Sequence, residues 1–462
     1  VARGSRRAVT HGKPSENGAP VPRAVSYLDG GSATRQLHNL AEDFAVIRKD
    51  SGPFPPFEVV PLAPKRTMLD DGLAVALMDM DGTTTSTEDV CCLAMEEMMR
   101  RMSGLAAEAW PGLDRDRDHP ALIGYSGREN LEYLGEKYGH LFSLDATTRA
   151  YIEAAAWNIG PWADPAQAAN VRDWLAGLGL AALLNDPRFR VLMRSGKEPA
   201  AHGGVLDALC AECIGALRAA WPACATDVGL TIYAHDYHRR LVGNDEPMIR
   251  PLPGVGVVMA ALKGRLGADA ACCFDMLAAA LDDVVNADEG RDTLRALGVH
   301  FERQPARLAL VTTSSAFETR HVLRHVFTRL RAEIMDWGLP PERSDAVHEL
   351  FQTAETSYDA VVTSTDIPET RLKPFRDPYS AALARLGVDA AALARVVGFE
   401  DTEPGVISLR AAGVPVAVAL PLEGTRAHDF QAASHVATRG FPEILLRHRL
   451  FLSERALEDA AD

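Results

Sequence analysis

Two aspartates one residue apart, Asp79 and Asp81, follow the apolar run 73–78 and precede Gly82 and Thr83. A buried strand that ends this way brings two carboxylates and a turn into one small volume. Like charges that close are costly unless a positive group joins them. A divalent cation and a phosphate ester would meet that need, so the pair points to phosphoryl transfer. Three other positions have residue types suited to the same chemistry. Thr312 closes the run LALVT at 308–312, Lys373 stands in Arg371-Leu372-Lys373-Pro374, and Glu400-Asp401 follow RVVGF at 395–399. Each lies at or just past the end of an apolar run, where open α/β sheets place their ligands.

The elements that must hold these residues can be read from periodicity. Strands are expected at 73–79, 308–312, 359–363, 395–399 and 414–420. Several are fully apolar, as strands covered on both faces should be. Helices between them are punctuated by Asp377-Pro378 and Gly387, and by Pro404 and Gly413. This alternation predicts a doubly wound, Rossmann-like parallel α/β sheet. From about 90 to 249 the pattern is mostly helical, with expected helices at 90–102, 128–137, 145–158, 165–179 and 205–220. Residues 93–249 are therefore expected to form a helical cap domain, and 66–92 with 250–450 the α/β core. Within the core, Pro251-Leu252-Pro253-Gly254 precedes the apolar stretch 255–262, and 265–305 reads as an extra insertion. Residues 1–60 read as a flexible N-terminal tail, with prolines at 53, 55, 56, 61 and 64 near its junction with the core.

Composition narrows the function classes. The 462 residues carry 48 Lys+Arg and 63 Asp+Glu, a net charge of −15. That balance argues against nucleic acid and anionic membranes as partners, but not against a small phosphorylated metabolite. No run approaches the length of a membrane span. Seven cysteines in a long chain with no leader-like apolar segment at its start imply reduced thiols and a cytoplasmic setting. Oligomeric state is not legible.

Taken in order, the four positions resemble the motifs of the haloacid dehalogenase (HAD) superfamily of phosphohydrolases. Those motifs are a strand ending in DxDGT, a strand ending in Ser or Thr, a lysine before a helix, and a strand ending in an acidic pair. The resemblance covers roughly 70–90 and 250–420. It implies that Asp79 is the nucleophile and Asp81 the general acid and base. It implies Mg²⁺ held by Asp79, the Asp81 carbonyl, Asp401 and, through water, Glu400. Thr312, with backbone N–H groups of Gly82, Thr83 and Thr313, would hold the phosphoryl group, and Lys373 would offset charge. The acid two residues after the nucleophile goes with phosphotransfer rather than dehalogenation. The implied activity is a phosphatase acting on a small phosphomonoester; a phosphomutase of the β-phosphoglucomutase type, or a non-catalytic phosphate-binding regulator, would use the same core. The segment Gly124-Tyr125-Ser126-Gly127-Arg128-Glu129 resembles a cap loop that touches substrate in relatives of β-phosphoglucomutase, which implies substrate contact by Arg128.

Blander assignments cover the remaining signals. Ser126 and Glu129 have capping-box spacing. Cys210 and Cys213 lack a second pair for zinc, and His235 and His238 lack a third ligand. Cys91-Cys92 read as buried thiols. Lys137 and Lys197 are the cap lysines that a Schiff-base chemistry would require. No G-x-S-x-G, H-E-x-x-H or G-x-x-x-x-G-K-[ST] occurs.

Overall fold

In the computed structural model, the described residues are 37, 41–48, 57–69, 72–195, 203–243, 247–448 and 450–452. The compact unit from Asp43 onward is built on six parallel strands. These are β3 (Val75–Asp79), β4 (Arg307–Val311), β5 (Ala360–Val362), β6 (Val396–Glu400), β7 (Val416–Ala419) and β8 (His435–Val436). Their order is β5-β4-β3-β6-β7-β8. The expected strands are all present, each within about two residues of its expected bounds.

Side chains alternate cleanly across this sheet. Ala76, Met78, Leu308, Leu310, Val397 and Phe399 enter one apolar layer, while Val75, Leu77, Ala309, Val311 and Val396 enter the other. The period of two, buried on both sides, explains why the strands read as continuous apolar runs. The first layer includes the helices Val255–Leu262, Ala287–Arg303, Ala316–Glu333 and Phe441–Arg447; the second includes Asp377–Arg385 and Glu403–Ala411.

The apolar stretch 255–262 is a helix in which every residue is buried. In the segment 265–305, expected as an extra insertion, Leu266, Phe274, Leu277, Leu294 and Phe301 join the same core layer as the sheet.

The expected tail also needs correcting where it is described. β1 (Phe44–Arg48) and β2 (Phe57–Pro61) form an antiparallel hairpin. Arg410, only 1% exposed, anchors it by donating to Asp43 Oδ2 at 2.9 Å and to Ala63 O. Arg371 adds an ion pair to Glu58 at 2.9 Å. Alternating Phe44–Arg48 burial on such a short strand was masked in the sequence by the proline-rich segment that follows.

The helical block carries its own core, from Met95 through Leu131, Tyr151 and Phe189 to Ile232. Its ends are α1 (Thr87–Ser103) and α2 (Ala225–Val242). Val90 and Ala94 of α1 pack in the sheet's layer while Met95 and Met98 pack in the block's, and on α2 Ile232 and Tyr237 divide the same way. The expected boundaries at 93 and 249 thus compare with packing that changes hands inside two continuous helices. The connections run side by side: Thr85 bridges Pro251, and Ser86 N donates to Arg250 O at 3.0 Å.

Candidate active site

Strand order brings the predicted residues together. β3 is central, so the ends of β4 and β6 flank it, and Asp79 lies in register with Val311. Thr312 and Glu400-Asp401 therefore stand beside Asp79 although some 230 and 320 residues distant in sequence. Lys373 enters from the loop that precedes the helix Asp377–Arg385. Its Nζ hydrogen-bonds Asp79 Oδ1 and Val311 O, and pairs with Glu400 Oε1 at 2.7 Å.

The two aspartates of the opening pair have separate environments. Asp79 meets Lys373. Asp81 turns away, and its carboxylate accepts from three hydroxyls: Thr87 at Oδ1, and Thr312 at 2.9 Å and Ser314 at 2.8 Å on Oδ2. Burial pushes Asp79 up to about 8; Lys373 works against that rise, and Glu400 and Asp81 add to it. Burial also raises Asp81, opposed by its three hydroxyl donors. Burial works against the charge on Lys373, but Asp79 and Glu400 more than offset it and hold the ammonium above its usual range.

Gly82 is required in the turn for two reasons. Its φ is +82°, and a Cβ there would lie 2.2 Å from Asp401 Oδ2. Thr83 donates to Asp401 Oδ1 at 3.4 Å. Asp401 Oδ2 itself is buried and has no hydrogen-bond partner among the described residues. Burial, then Asp79, Glu88 and Glu400, push the Asp401 carboxyl well up. One oxygen from each of Asp79, Glu400 and Asp401 lies within 4.8 Å of the others, a spacing that could hold a metal ion. Glu88 lies close enough that Asp81 and Asp79 raise it, so the carboxylates of this volume outnumber its one ammonium, Lys373. An orphaned carboxylate oxygen in so negative a volume fits a hard divalent cation.

The two acids of the pair 400–401 differ. Glu400 Oε1 accepts from Lys373 and from the hydroxyl of Tyr379, a fully buried side chain. Its Oε2 accepts from Thr402 at 3.4 Å and presses on Gly405, where a Cβ would lie 2.0 Å away. Glu400 is thus fully engaged by protein groups, whereas Asp401 keeps a free oxygen.

The other predicted positions fall as follows. Thr313 is exposed, and the neighbouring hydroxyl that reaches the site belongs to Ser314. Arg128 sits on the helix Gly127–Tyr138, which starts with the Ser126–Glu129 capping box. It pairs with Asp227 at 3.1 Å and approaches Glu369 at 4.0 Å. The cap loop does touch the core, but through Gly124, whose Cβ position faces Thr402. His235 bonds Arg101 and Asp236, and His238 bonds Glu318 at 2.8 Å; all seven cysteines are free thiols. Lys137 is held by Asp118, and Lys197 lies outside the described residues. Thr87, Glu88, Ser314 and Tyr379 were not anticipated. A hydroxyl or acid eight or nine residues from Asp79 is a weak signal alone, and Tyr379 is recognisable only once the fold turns it toward Glu400.

A cavity of about 610 Å³ opens beside Asp401 and Glu88, between the segment 115–123 of the helical block and core loops at 250–257 and 422–425.

No protein-family model and no curated protein matches this chain. Solved structures do. One is CbbY from Rhodobacter sphaeroides in complex with phosphate, 16% identical over 80% of this chain and 96% of that one, at a TM-score of 0.37. Another is a HAD-superfamily hydrolase, subfamily IA, variant 1, from Geobacter sulfurreducens PCA, 14% identical over 82% and 97%, at 0.34. A third is a HAD family hydrolase from Deinococcus radiodurans R1 with bound phosphate and sodium, 12% identical over 85% and 98%, at 0.36. The chain is similar to structures of the HAD superfamily. Among the described residues no helix is long and apolar enough to cross a membrane.

Proposed function

We propose that this chain is a HAD-like phosphatase that hydrolyses a small phosphomonoester through an aspartyl-phosphate, with Mg²⁺ as its cofactor. The observation that carries this reading is the division of labour at the end of β3. Asp79 is in contact with a lysine, while Asp81, two residues on, is held apart by three hydroxyls. Asp79 Oδ2 would attack phosphorus as the bond to the ester oxygen breaks, and Asp81 would give its proton to the departing alkoxide. The raised pKa of Asp81 suits a carboxyl that must start protonated. Water would then attack the phosphorus of the aspartyl-phosphate. Asp81 would take the water's proton, and Asp79 would leave as a carboxylate with inorganic phosphate released. Asp79 and Asp401 would hold Mg²⁺, with the Asp81 carbonyl. When bound, the ion supplies positive charge that ionises Asp79 near neutral pH and offsets charge on the phosphoryl oxygens. Glu400 would orient Lys373 rather than bind metal directly. Thr312 and the backbone of Gly82 and Thr83 would position the phosphoryl group.

The direct test is hydrolysis of p-nitrophenyl phosphate with Mg²⁺ and with EDTA. Turnover with the metal and none without it is expected; absence of turnover on any phosphate in a broad panel would overturn the reading. Asp81→Ala is expected to cut turnover by about 10²–10⁴-fold, the usual range for lost general acid-base catalysis. The loss should shrink for esters whose leaving group needs no proton.

Metal binding has an expected signature independent of turnover. Saturating Mg²⁺ should stabilise the fold, by about 2.7 kcal/mol at a hundred times Kd, seen as a rise in Tm. Asp401→Asn should lose most of that rise. In EDTA the same variant should be as stable as the wild type or more so, because it removes a buried carboxyl whose charged form burial and the neighbouring acids disfavour.

A further inference from the structure

The two histidines three apart on α2 have separate surroundings. His235 bonds Arg101 and Asp236 within the helical block. His238, 4% exposed, lies where α2 meets the helix Ala316–Glu333 and packs on the ring of Phe317, with centroids 5.1 Å apart. Its Nε2 donates to Glu318 Oε1 at 2.8 Å.

Glu318 connects this histidine to the site. Its other oxygen, Oε2, accepts from Ser315 N at 2.6 Å, and its own N–H donates to Ser315 Oγ at 3.2 Å, so the two residues form a capping box. The residue before Ser315 is Ser314, whose hydroxyl donates to Asp81 Oδ2 at 2.8 Å. Burial works to raise the Glu318 carboxyl, but the bonds from His238 and Ser315 outweigh it and hold the group below its usual range. A carboxylate with a donor on each oxygen cannot rotate without losing a charge-assisted bond.

His238 is itself held in one place. Arg324 donates to Leu241 O at 3.1 Å and to Gly243 O at 3.0 Å, and His325 donates to Leu241 O at 3.1 Å. The end of α2 is thus fastened to the helix that Ser315 caps. The capping box closes that helix without any histidine. What the bond from His238 adds is a fixed direction for the carboxylate, and so for the turn that carries Ser314.

We propose that His238 is a positioning residue for the proton transfer: it fixes Glu318, and through the Ser315 turn it aims the Ser314 hydroxyl at Asp81. This rests on the phosphatase reading for the step served, in which Asp81 gives its proton to the departing alkoxide. With Ser314 displaced, Oδ2 of Asp81 keeps only Thr312 as a donor, and the carboxyl can turn. A misplacement of about 1 Å in a reacting group can lower a rate by about 10²-fold.

The test compares variants of the full chain. His238→Phe keeps a ring against Phe317 but removes the N–H, and His238→Gln restores a donor. In His238→Phe, kcat/KM for alkyl phosphates, whose leaving group needs a proton, should fall about 10-fold; for p-nitrophenyl phosphate, whose leaving group does not, it should fall less than about 3-fold. The loss should lie in kcat rather than KM, and His238→Gln should recover most of it. Glu318→Ala should show the same split between esters, and it carries the test if His238→Phe does not fold. The second readout is crystallographic. Ser314 Oγ should leave hydrogen-bonding distance of Asp81 Oδ2 in His238→Phe and return to it in His238→Gln. No loss, an equal loss on both esters, or an unmoved Ser314 would overturn the proposal while leaving the phosphatase reading intact. If Ser314 moves as expected but the wild type hydrolyses no phosphate, the positioning by His238 stands and the phosphatase reading fails.

Discussion

Asp79→Asn is expected to lower turnover of an aryl phosphate by at least about 10³-fold, the scale on which loss of a nucleophile is felt. The substitution is a strict test because it should disturb little else. The amide has the volume of the carboxylate, and Lys373 keeps its partner Glu400 at 2.7 Å. It also removes a carboxyl whose charged form burial and the nearby acids disfavour. The folded variant should therefore match the wild type in Tm in the absence of metal. Rapid quench with a radiolabelled ester should show a phosphorylated protein in the wild type and none in the variant. Full turnover in Asp79→Asn would remove the proposed nucleophile.

Lys373→Met should fail in two ways at once. Lys373 is 5% exposed and lies between two buried acids. Removing one partner of a buried pair leaves uncompensated charge and costs about 3–5 kcal/mol. The loss of Tm should be largest in EDTA and partly restored by Mg²⁺, since the ion supplies the missing positive charge nearby. Turnover should stay at least about 10²-fold down even when the fold is restored, because the ion cannot also stand where the ammonium stood. Stability recovered by Mg²⁺ together with wild-type turnover would show that Lys373 is only structural.

The contrast between Glu400 and Asp401 shows where the sequence stopped being informative. The two are adjacent and both acidic, so both read as metal ligands. Their difference comes from three residues, two of them more than twenty positions away in sequence. Lys373, Tyr379 and Thr402 occupy the Glu400 oxygens, and only a folded loop brings the first two there. The same limit explains Ser314 and Thr313. Both are small hydroxyl residues after β4, and the direction of the turn decides that Ser314 reaches Asp81.

Arg128 illustrates a different limit. Its position in a resembling segment implies substrate contact, and the fold sets it beside Asp227 on α2 and near Glu369. Helix pairing within the block is a long-range matter, invisible to a local motif. Helix existence was far more legible, because capping residues and a 3.6-residue period are local. The helix 255–262 left no such signal: buried on all sides, it has no polar face to show its period.

The sequence by itself determined the chemistry-bearing residue types and the strands that present them. An apolar run followed by Asp-x-Asp-Gly, two later runs followed by a hydroxyl or an acidic pair, and a lysine ahead of a helix start are properties of neighbouring residues. Tertiary structure alone decided which of these meet, because strand order places β4 and β6 against β3 without regard to distance along the chain. It also decided that Asp79 faces an ammonium, that Asp81 faces three hydroxyls and that one oxygen of Asp401 is left without a partner. Those differences arise from desolvation and fixed neighbours, and neither exists until the chain has folded.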